Sequence, residues 1–500
     1  DTLEVQEWGC AALRNLARSS PENRATVAEQ GGIELVLQAV QSHPAAAKLQ
    51  ELGWAALGNL AFGSIANQER IVELGGLRLL LRALRAHRGA PEVQGYGWAA
   101  LQNLLRNDEQ NTQKVALRGG AELLLQALQL HPAVVMVQGY GCALLGRFAA
   151  CSPEARARVA AGGGAEVVLK ALRSHPTVAK VQGCGCAVLG NLARGGEELA
   201  ARACELGGLE LVLQALQGHT DELEVQECGC AALWNLLRGS PERRAQAVAL
   251  GGTELLLEAM QAHPASETLQ LCGLEILVRL SCDAGGHLEQ LGALGAVELV
   301  LKAMQLHPGM PRLQERGCAA LGSLASRSDE LRARVLHFGG AELLLRALKG
   351  HPRAARVQAN GCAALQGLTC GEGSAEAQAR VVAIGGAELV LAALRGHPEE
   401  ARVQDAGCGA LLRLVQGGFE ARSCIFALGG LEAVLAAMQG HAAAPEVQRS
   451  GCSILRQLAG DGADYRASVV GLGGLEAVLA ALQQHPEALA VQESAAAALR

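Results

Sequence analysis

One glutamine returns at a fixed interval along the whole chain. It occupies positions 6, 50, 94, 138, 182, 226, 270, 314 and 358, each 44 residues after the last, and resumes at 404, 448 and 492 after a two-residue insertion within 359–384. The same short words surround it, such as Gly-Cys-Ala-Ala-Leu at residues 9–13 and 229–233. A period of roughly 40 to 47 residues is typical of solenoids with two or three helices per repeat. The chain is therefore predicted to be one unit copied end to end, with each copy numbered by its glutamine.

The uniform period predicts a single array over residues 1–500, with a partial repeat at each end. Because both ends fall inside a repeat, the chain is interpreted as a segment of a larger protein. Half of the residues are hydrophobic and 2% are aromatic, and the net charge of −6 argues against general affinity for nucleic acid. No apolar run reaches the roughly 18 residues of a transmembrane helix, and no signal peptide is visible. An intracellular, cytoplasmic location is predicted, with the nucleus as an alternative.

Each copy carries the signals of three helices. Ser20, Pro21 and Glu22 are the N-cap, the first helical residue and the first-turn acid of a short helix. A Gly-Gly pair at 31–32, repeated in nearly every copy, ends that helix and turns the chain into the second. The second helix ends near His43, and a longer third helix covers about residues 5–17. The predicted fold is all-α, a right-handed α-solenoid of about 11 repeats.

The apolar residues of the third helix predict which side is buried. Val5, Gly9, Ala12, Leu13 and Leu16 fall on one side of a helix that turns about 100° per residue. The opposite stripe is then positions 7, 11, 14 and 18 of each copy, with position 15 beside it. This stripe is predicted to be the outward face of the helix.

The three-helix unit, the Gly-Gly turn and the Ala-Ala-Leu-x-Asn-Leu-Ala end of the third helix resemble the armadillo repeat family over essentially the whole chain. The resemblance implies that the third helices line a concave groove that binds extended peptides, with a groove asparagine holding the ligand backbone. The residues that match this asparagine are Asn15, Asn59, Asn103, Asn191 and Asn235. In six other copies the asparagine is replaced, and the residues at this position are Arg147, Arg279, Ser323, Gly367, Arg413 and Gln457. The asparagine ladder is therefore predicted in the N-terminal half.

The predicted peptide-binding groove lies in copies three to six. Its residues are Asn103, Arg106, Arg147, Asn191, Arg194, Trp234, Asn235 and Arg238. A secondary stretch comprises Asn15, Arg18, Asn59, Phe62 and Arg279. Amide side chains pair with both N–H and C=O groups of a peptide, and guanidinium groups prefer carboxylate or phosphate. The expected ligand is therefore an extended, acidic or phosphorylated segment with an apolar residue near Trp234.

Cysteines and histidines also keep the register of the repeat. Eight cysteines share one third-helix position, at 10, 142, 186, 230, 318, 362, 408 and 452. Adjacent copies place them about 8–10 Å apart, beyond the reach of a disulfide, so buried reduced thiols are predicted. Eleven histidines from His43 to His485 cannot converge on one ion, so capping of helix C-termini is predicted and a metal site is not. No nucleotide, zinc-protease or serine-nucleophile motif is present, and neither a cofactor nor an enzyme activity is predicted.

The predicted function is a protein interaction scaffold. Two alternatives stay open: a regulatory arm of a larger multidomain enzyme, such as a kinase, with its catalytic domain outside this segment, and a less favoured importin-alpha-like transport adaptor. Copy seven, with Leu271, Glu275, Val278 and an irregular stretch at 283–286, is interpreted as a bend or a decayed repeat. The sequence does not determine the partner or the oligomeric state.

Overall fold

The computed structural model describes residues 2–282, 287–371 and 374–500, and within these ranges it contains helices and turns and no β-strand. The chain divides into two compact units, Asp1–Leu255 and Leu256–Arg500. The irregular stretch of copy seven, residues 283–286, lies outside the described residues.

The first unit consists of short loops and α-helices. They are α1 (Leu3–Ser19), α2 (Pro21–Glu29), α3 (Gly32–Ser42), α4 (Ala47–Ala61), α5 (Ile65–Glu73), α6 (Gly76–Ala86), α7 (Pro91–Leu104), α8 (Glu109–Val115), α9 (Ala121–Leu130), α10 (Val135–Cys151), α11 (Pro153–Ala161), α12 (Gly164–Ser174), α13 (Ala179–Ala193), α14 (Glu197–Glu205), α15 (Gly208–Gly218), α16 (Leu223–Leu237) and α17 (Pro241–Ala249), followed by the start of α18 (Gly252–Ala262). A π-helical turn, Ala116–Gly120, joins α8 to α9.

The second unit repeats the same order. Its helices after α18 are α19 (Glu267–Cys282), α20 (His287–Ala293), α21 (Ala296–Leu306), α22 (Pro311–Arg327), α23 (Asp329–His337), α24 (Gly340–Gly350), α25 (Ala355–Leu368), α26 (Ser374–Ala383), α27 (Gly386–Gly396), α28 (Ala401–Val415), α29 (Phe419–Ala427), α30 (Gly430–Gly440), α31 (Pro445–Ala459), α32 (Ala463–Gly471), α33 (Gly474–Gln484) and α34 (Leu489–Ala498). The prediction of three helices per copy, the third the longest in most copies, is confirmed, and the fold is an all-α solenoid.

The predicted turn chemistry is confirmed in the first copy. The Ser20 hydroxyl accepts the backbone N–H of Asn23 at 3.0 Å, and Pro21 opens α2. Gly31 has a φ of +79°, in the left-handed region that favours glycine. A Cβ on Gly32 would lie 2.7 Å from the carbonyl oxygen of Val27, so the second glycine is required by close approach of the backbone. The first glycine of the pair is therefore required by backbone conformation, and the second by lack of space for a side chain.

The recurring glutamine joins the third helix of each copy to the end of the preceding second helix. Gln138 is 1% exposed, and its Nε2 donates to the carbonyl oxygens of Leu128 and His131, each at 2.9 Å. The same pair of bonds recurs at Gln50, Gln94, Gln182, Gln226, Gln270, Gln314, Gln358, Gln404, Gln448 and Gln492. These carbonyls belong to the last turn of a helix and have no partner within it. The most regular feature of the sequence is thus a side-chain cap.

The histidines do more than the predicted capping. His87 ends α6 with its backbone N–H on the carbonyl of Ala83, as predicted, and its Nε2 is 2.7 Å from the carbonyl oxygen of Pro44 in the previous copy. Equivalent bonds to the previous copy are made by His131, His175, His219, His307, His351, His397, His441 and His485. A ladder of imidazole hydrogen bonds therefore links successive copies within each unit.

The prediction of buried thiols is confirmed. The eight in-register cysteines are buried, and all sixteen cysteines are free thiols. Burial raises the pKa of the Cys318 and Cys362 thiols to about 12. Low exposure and a raised pKa both keep the thiol protonated, which fits a packing role.

Within the described residues no single helix combines the length and the apolar composition of a membrane span, although three helix pairs bent at a short break meet those two criteria when taken together.

Candidate peptide-binding surface

The third helices of the first unit pack side by side in chain order, α1 against α4, α4 against α7, and so on to α16. In α13 the apolar positions predicted as core are buried, including Val181, Val188, Leu189 and Leu192. Outside them lies a narrow row, most of whose members are exposed or half-buried, at positions equivalent to 4, 8, 11, 15 and 18 of the first copy. This set is called the third-helix row. Its members in copy five are Lys180, Cys184, Ala187, Asn191 and Arg194, of which Cys184 is 8% exposed.

In copy five the predicted stripe of positions 7, 11, 14 and 18 is wrong at two of its members. Positions 7 and 14 of copy five are Gly183 and Gly190, and both are buried. A Cβ on Gly190 would lie 2.9 Å from the Cα of Ala232 on α16. The small residue at position 14 admits the neighbouring helix and does not leave space for a ligand. Trp234 occupies position 14 in copy six and is half-buried, so it flanks the third-helix row on its packing side.

Three of the predicted groove asparagines bridge neighbouring copies. Asn59 Nδ2 donates to the carbonyl oxygen of Arg14 at 2.9 Å, Asn103 to that of Gly58 at 2.9 Å, and Asn191 to that of Gly146 at 3.0 Å. Asn235 instead donates to Ala231 in its own helix at 2.9 Å. A carboxamide has two N–H donors and one oxygen acceptor. After one bond is made inside the protein, each half-buried amide keeps a donor and an acceptor that a peptide backbone could use.

Two predicted arginines meet at one cavity in copies three and four. Arg147 Nη2 donates to the carbonyl oxygens of Leu105 and Arg106, the latter at 3.2 Å, and to Thr112 Oγ1 at 3.5 Å. Arg147 and the exposed Arg106 line a cavity of 370 Å³. Burial, and then the positive charge of Arg106, lower the pKa of Arg147. A negative group in the cavity would relieve the repulsion between these guanidinium groups.

Two acidic residues also line this cavity. Asp108 lines it, but its two oxygens accept the backbone N–H and the Nδ2 of Asn111 at 2.8 and 2.6 Å. The exposed Glu109 lines it as well. In the part of the chain that the structure describes, no ion pair is recorded for the arginines of the row, which are Arg18, Arg106, Arg147, Arg194 and Arg238. The row thus presents guanidinium groups that form no ion pair with any described side chain, although Asp108 and Glu109 lie at the cavity of Arg106 and Arg147.

An aromatic ring joins the secondary stretch to the main one. Phe62 is 50% exposed, with the guanidinium carbons of Arg24 and Arg106 at 5.7 and 5.9 Å from its ring centroid. Cations within about 6 Å of an aromatic centroid are attracted to its face. Phe62 therefore orients Arg106 at the edge of the cavity. Asn15 and Arg18 are exposed on α1, whereas Arg279 lies on α19 in the second unit.

Residues at position 8 were missed by the sequence reasoning. They include Trp8, which is 71% exposed, and the half-buried Tyr96 and Tyr140. Lys180 Nζ lies 3.3 Å from the Tyr140 ring centroid and so links copies four and five. The 44-residue spacing of Tyr96 and Tyr140 is a signal in the sequence, but the predicted stripe uses position 7 of each copy instead of position 8.

The described residues contain no group of three or more His, Cys, Asp or Glu side chains that could hold a metal ion. The chemistry available on the third-helix row is therefore hydrogen bonding, charge and aromatic contact.

Comparisons with known proteins agree on the architecture. Residues 337–500 match the family model described as the LRRK2 ARM repeat. A crystal structure of an engineered protein aligns with a TM-score of 0.66 at 25% identity, covering 82% of this chain and 95% of that one. A structure concerning a conserved phosphorylation switch that controls the interaction between cadherin and beta-catenin aligns with a TM-score of 0.74 at 15% identity, covering 98% of each chain. No curated protein matches the chain. Residues 337–500 therefore match an armadillo repeat family, and the structural alignments show a similar repeat fold over most of the chain.

Proposed function

We propose that this protein is an interaction scaffold that binds an extended acidic or phosphorylated segment of a partner protein along the third-helix row of copies three to six. The observation that carries the proposal is the meeting of Arg106 and Arg147 at one cavity, where neither guanidinium group forms an ion pair with a described residue. Guanidinium groups bind carboxylate and phosphate through paired hydrogen bonds.

The amides beside the arginines supply the second part of the site. Asn103 and Asn191 are fixed by their bonds to the previous copy, so their remaining donor and acceptor are already oriented. Preorganised groups lose less entropy when a ligand binds. Backbone contacts from the amides and charge contacts from the arginines together favour an extended acidic segment over a folded surface. No residue of the row is assigned a role in a reaction.

Binding of a fluorescein-labelled glutamate-rich peptide, with and without phosphoserine, tests the proposal by fluorescence anisotropy. The double variant Arg194→Gln/Arg238→Gln removes two exposed row charges and is expected to weaken binding about tenfold. Arg78→Gln/Arg82→Gln removes two exposed charges from the second helix α6 and serves as the matched control. Equal affinity of both variants would refute the proposed surface.

A lysine-rich peptide in the same assay addresses the transport-adaptor alternative. Unpaired arginines on the row disfavour a basic ligand. The lysine-rich peptide is therefore expected not to bind, and tight binding would reverse the proposed ligand charge. A regulatory role within a larger multidomain enzyme stays a prediction.

A further inference from the structure

Three third helices of the second unit carry an arginine at the same place. Arg312, Arg356 and Arg402 are the second residues of α22, α25 and α28, and all three are exposed. The first unit has no such run, because the equivalent residues of its copies are Glu4, Lys48, Glu92, Met136, Lys180 and Glu224. Consecutive arginines at this place are thus particular to copies eight to ten.

A cavity of 460 Å³ lies among these helices. Arg316, Arg356, Arg402 and Asn360 line it together with Glu315 and Glu400. Arg316 is committed to Glu275, with its Nε 2.8 Å from Glu275 Oε1. The buried Glu315 contacts Arg316 at 3.5 Å and reaches Arg356 at 3.9 Å.

The outer arginines are free to meet a ligand. Arg356 has a side chain that is 74% exposed and a single distant acid contact. Arg312 and Arg402 form no ion pair within the described ranges. The first turn of each helix also presents backbone N–H groups and the positive end of the helix dipole. These three charges are therefore available one per copy.

We infer that this arginine row binds an acidic segment whose carboxylate or phosphate groups recur at every third residue. α22 and α25 pack closely, since a Cβ on Gly322 would lie 2.9 Å from the Cα of Ala364. Adjacent packed helices are about 8–10 Å apart. A polyproline II segment rises about 3.1 Å per residue with three residues per turn, so one turn spans about 9 Å and returns to the same face. One acid per turn would therefore meet one arginine per copy.

The surrounding acids favour this ligand over a nucleic acid. Glu315 and Glu400 line the same cavity as the arginines, so a closely spaced run of phosphates would meet negative charge as well as positive. In a segment whose acids are separated by neutral residues, the neutral residues can lie beside Glu315 and Glu400 while the acids contact the arginines. The inference rests on the proposed scaffold function but concerns the second unit and a different set of residues.

The test uses the full chain and two labelled peptides of identical composition. In one peptide glutamate occupies every third position of a Pro/Ser background, and in the other the glutamates are contiguous. Arg356→Gln/Arg402→Gln is expected to weaken the spaced peptide about tenfold. The matched control is Arg346→Gln/Lys349→Gln, which removes two exposed charges from the neighbouring helix α24. It is expected to leave the affinity of the spaced peptide within about twofold.

Each outcome separates the two sites. A loss confined to Arg356→Gln/Arg402→Gln, with preference for the spaced peptide, supports the inference. A loss confined to Arg194→Gln/Arg238→Gln overturns it while leaving the proposed function intact. Equal affinity for both peptides, equal loss in the α24 control, or no binding of the spaced peptide also overturns it. Unchanged circular dichroism of the variants shows that these exposed substitutions leave the helices folded.

Discussion

Removal of one recurring glutamine should open the junction between two helices. The change is Gln138→Ala, which deletes both hydrogen bonds to the end of α9. The bond to Leu128 is buried, and leaving a buried carbonyl without a partner costs about 1–3 kcal/mol. The bond to His131 is partly buried, so water can replace it and its loss costs about 0.5–1 kcal/mol. The expected destabilisation is therefore about 3 kcal/mol.

Native-state hydrogen exchange read by mass spectrometry is the suitable assay, because repeat arrays can open locally instead of unfolding as a whole. A cost of about 3 kcal/mol corresponds to roughly a hundredfold faster exchange of the protected amides in α9 and α10. Gln126→Ala changes an exposed glutamine on α9, the helix whose end Gln138 caps, and should have little effect. Indistinguishable exchange in the two variants would show that the glutamine ladder does not hold the copies together.

Three more predictions concern packing, thiol chemistry and ligand contact. Gly190→Ala should lower the melting temperature, because the added Cβ would meet backbone atoms of α16 and overpacking costs about 1–3 kcal/mol. Gly218→Ala places its Cβ in open space and should leave the melting temperature unchanged. Equal shifts in the two variants would contradict the close packing of α13 against α16. Burial raises the pKa of Cys184 to about 12, so roughly one thiol in ten thousand is ionised at pH 8. Iodoacetamide should therefore label Cys184 slowly until the protein unfolds or the pH approaches 12. Rapid labelling of the native protein at pH 8 would refute the burial of this thiol. Trp234→Ala is predicted to weaken acidic-peptide binding roughly thirtyfold in anisotropy titrations, and unchanged affinity with intact helices would remove this residue from the surface.

Most of the fold followed from local signals in the sequence. The serine caps, the glycine pairs and the apolar periodicity each predict a helix boundary or a helix face by short-range chemistry, and the structure confirms them at Ser20, Gly31 and Val181. The role of the histidines was only half visible. Capping depends on the helix itself, but the second bond of His87 reaches a residue 43 positions earlier, where only stacking of copies can bring it.

The sequence predicted the wrong positions for part of the exposed row, because the third helix packs against neighbours on two sides. An interior third helix contacts the copy before it and the copy after it, so its buried arc is wide and the accessible row is narrow. Small residues such as Gly58 and Gly190 can make room for a ligand or for a neighbouring helix, and sequence alone does not separate these uses. The proximity of Arg106 and Arg147 could be predicted from the sequence, because they occupy positions 18 and 15 of consecutive copies.

Photo-crosslinking of a bound acidic peptide shows which helices the ligand contacts. A glutamate-rich peptide carrying a benzophenone group would be irradiated in complex with the full chain, and the attachment sites mapped by mass spectrometry. Adducts are expected on α7, α10, α13 and α16, centred near Arg106, Arg147 and Arg194, and they should be lost in Arg194→Gln/Arg238→Gln. Adducts confined to the second helices α9, α12 and α15, unaffected by that variant, would contradict the proposed surface.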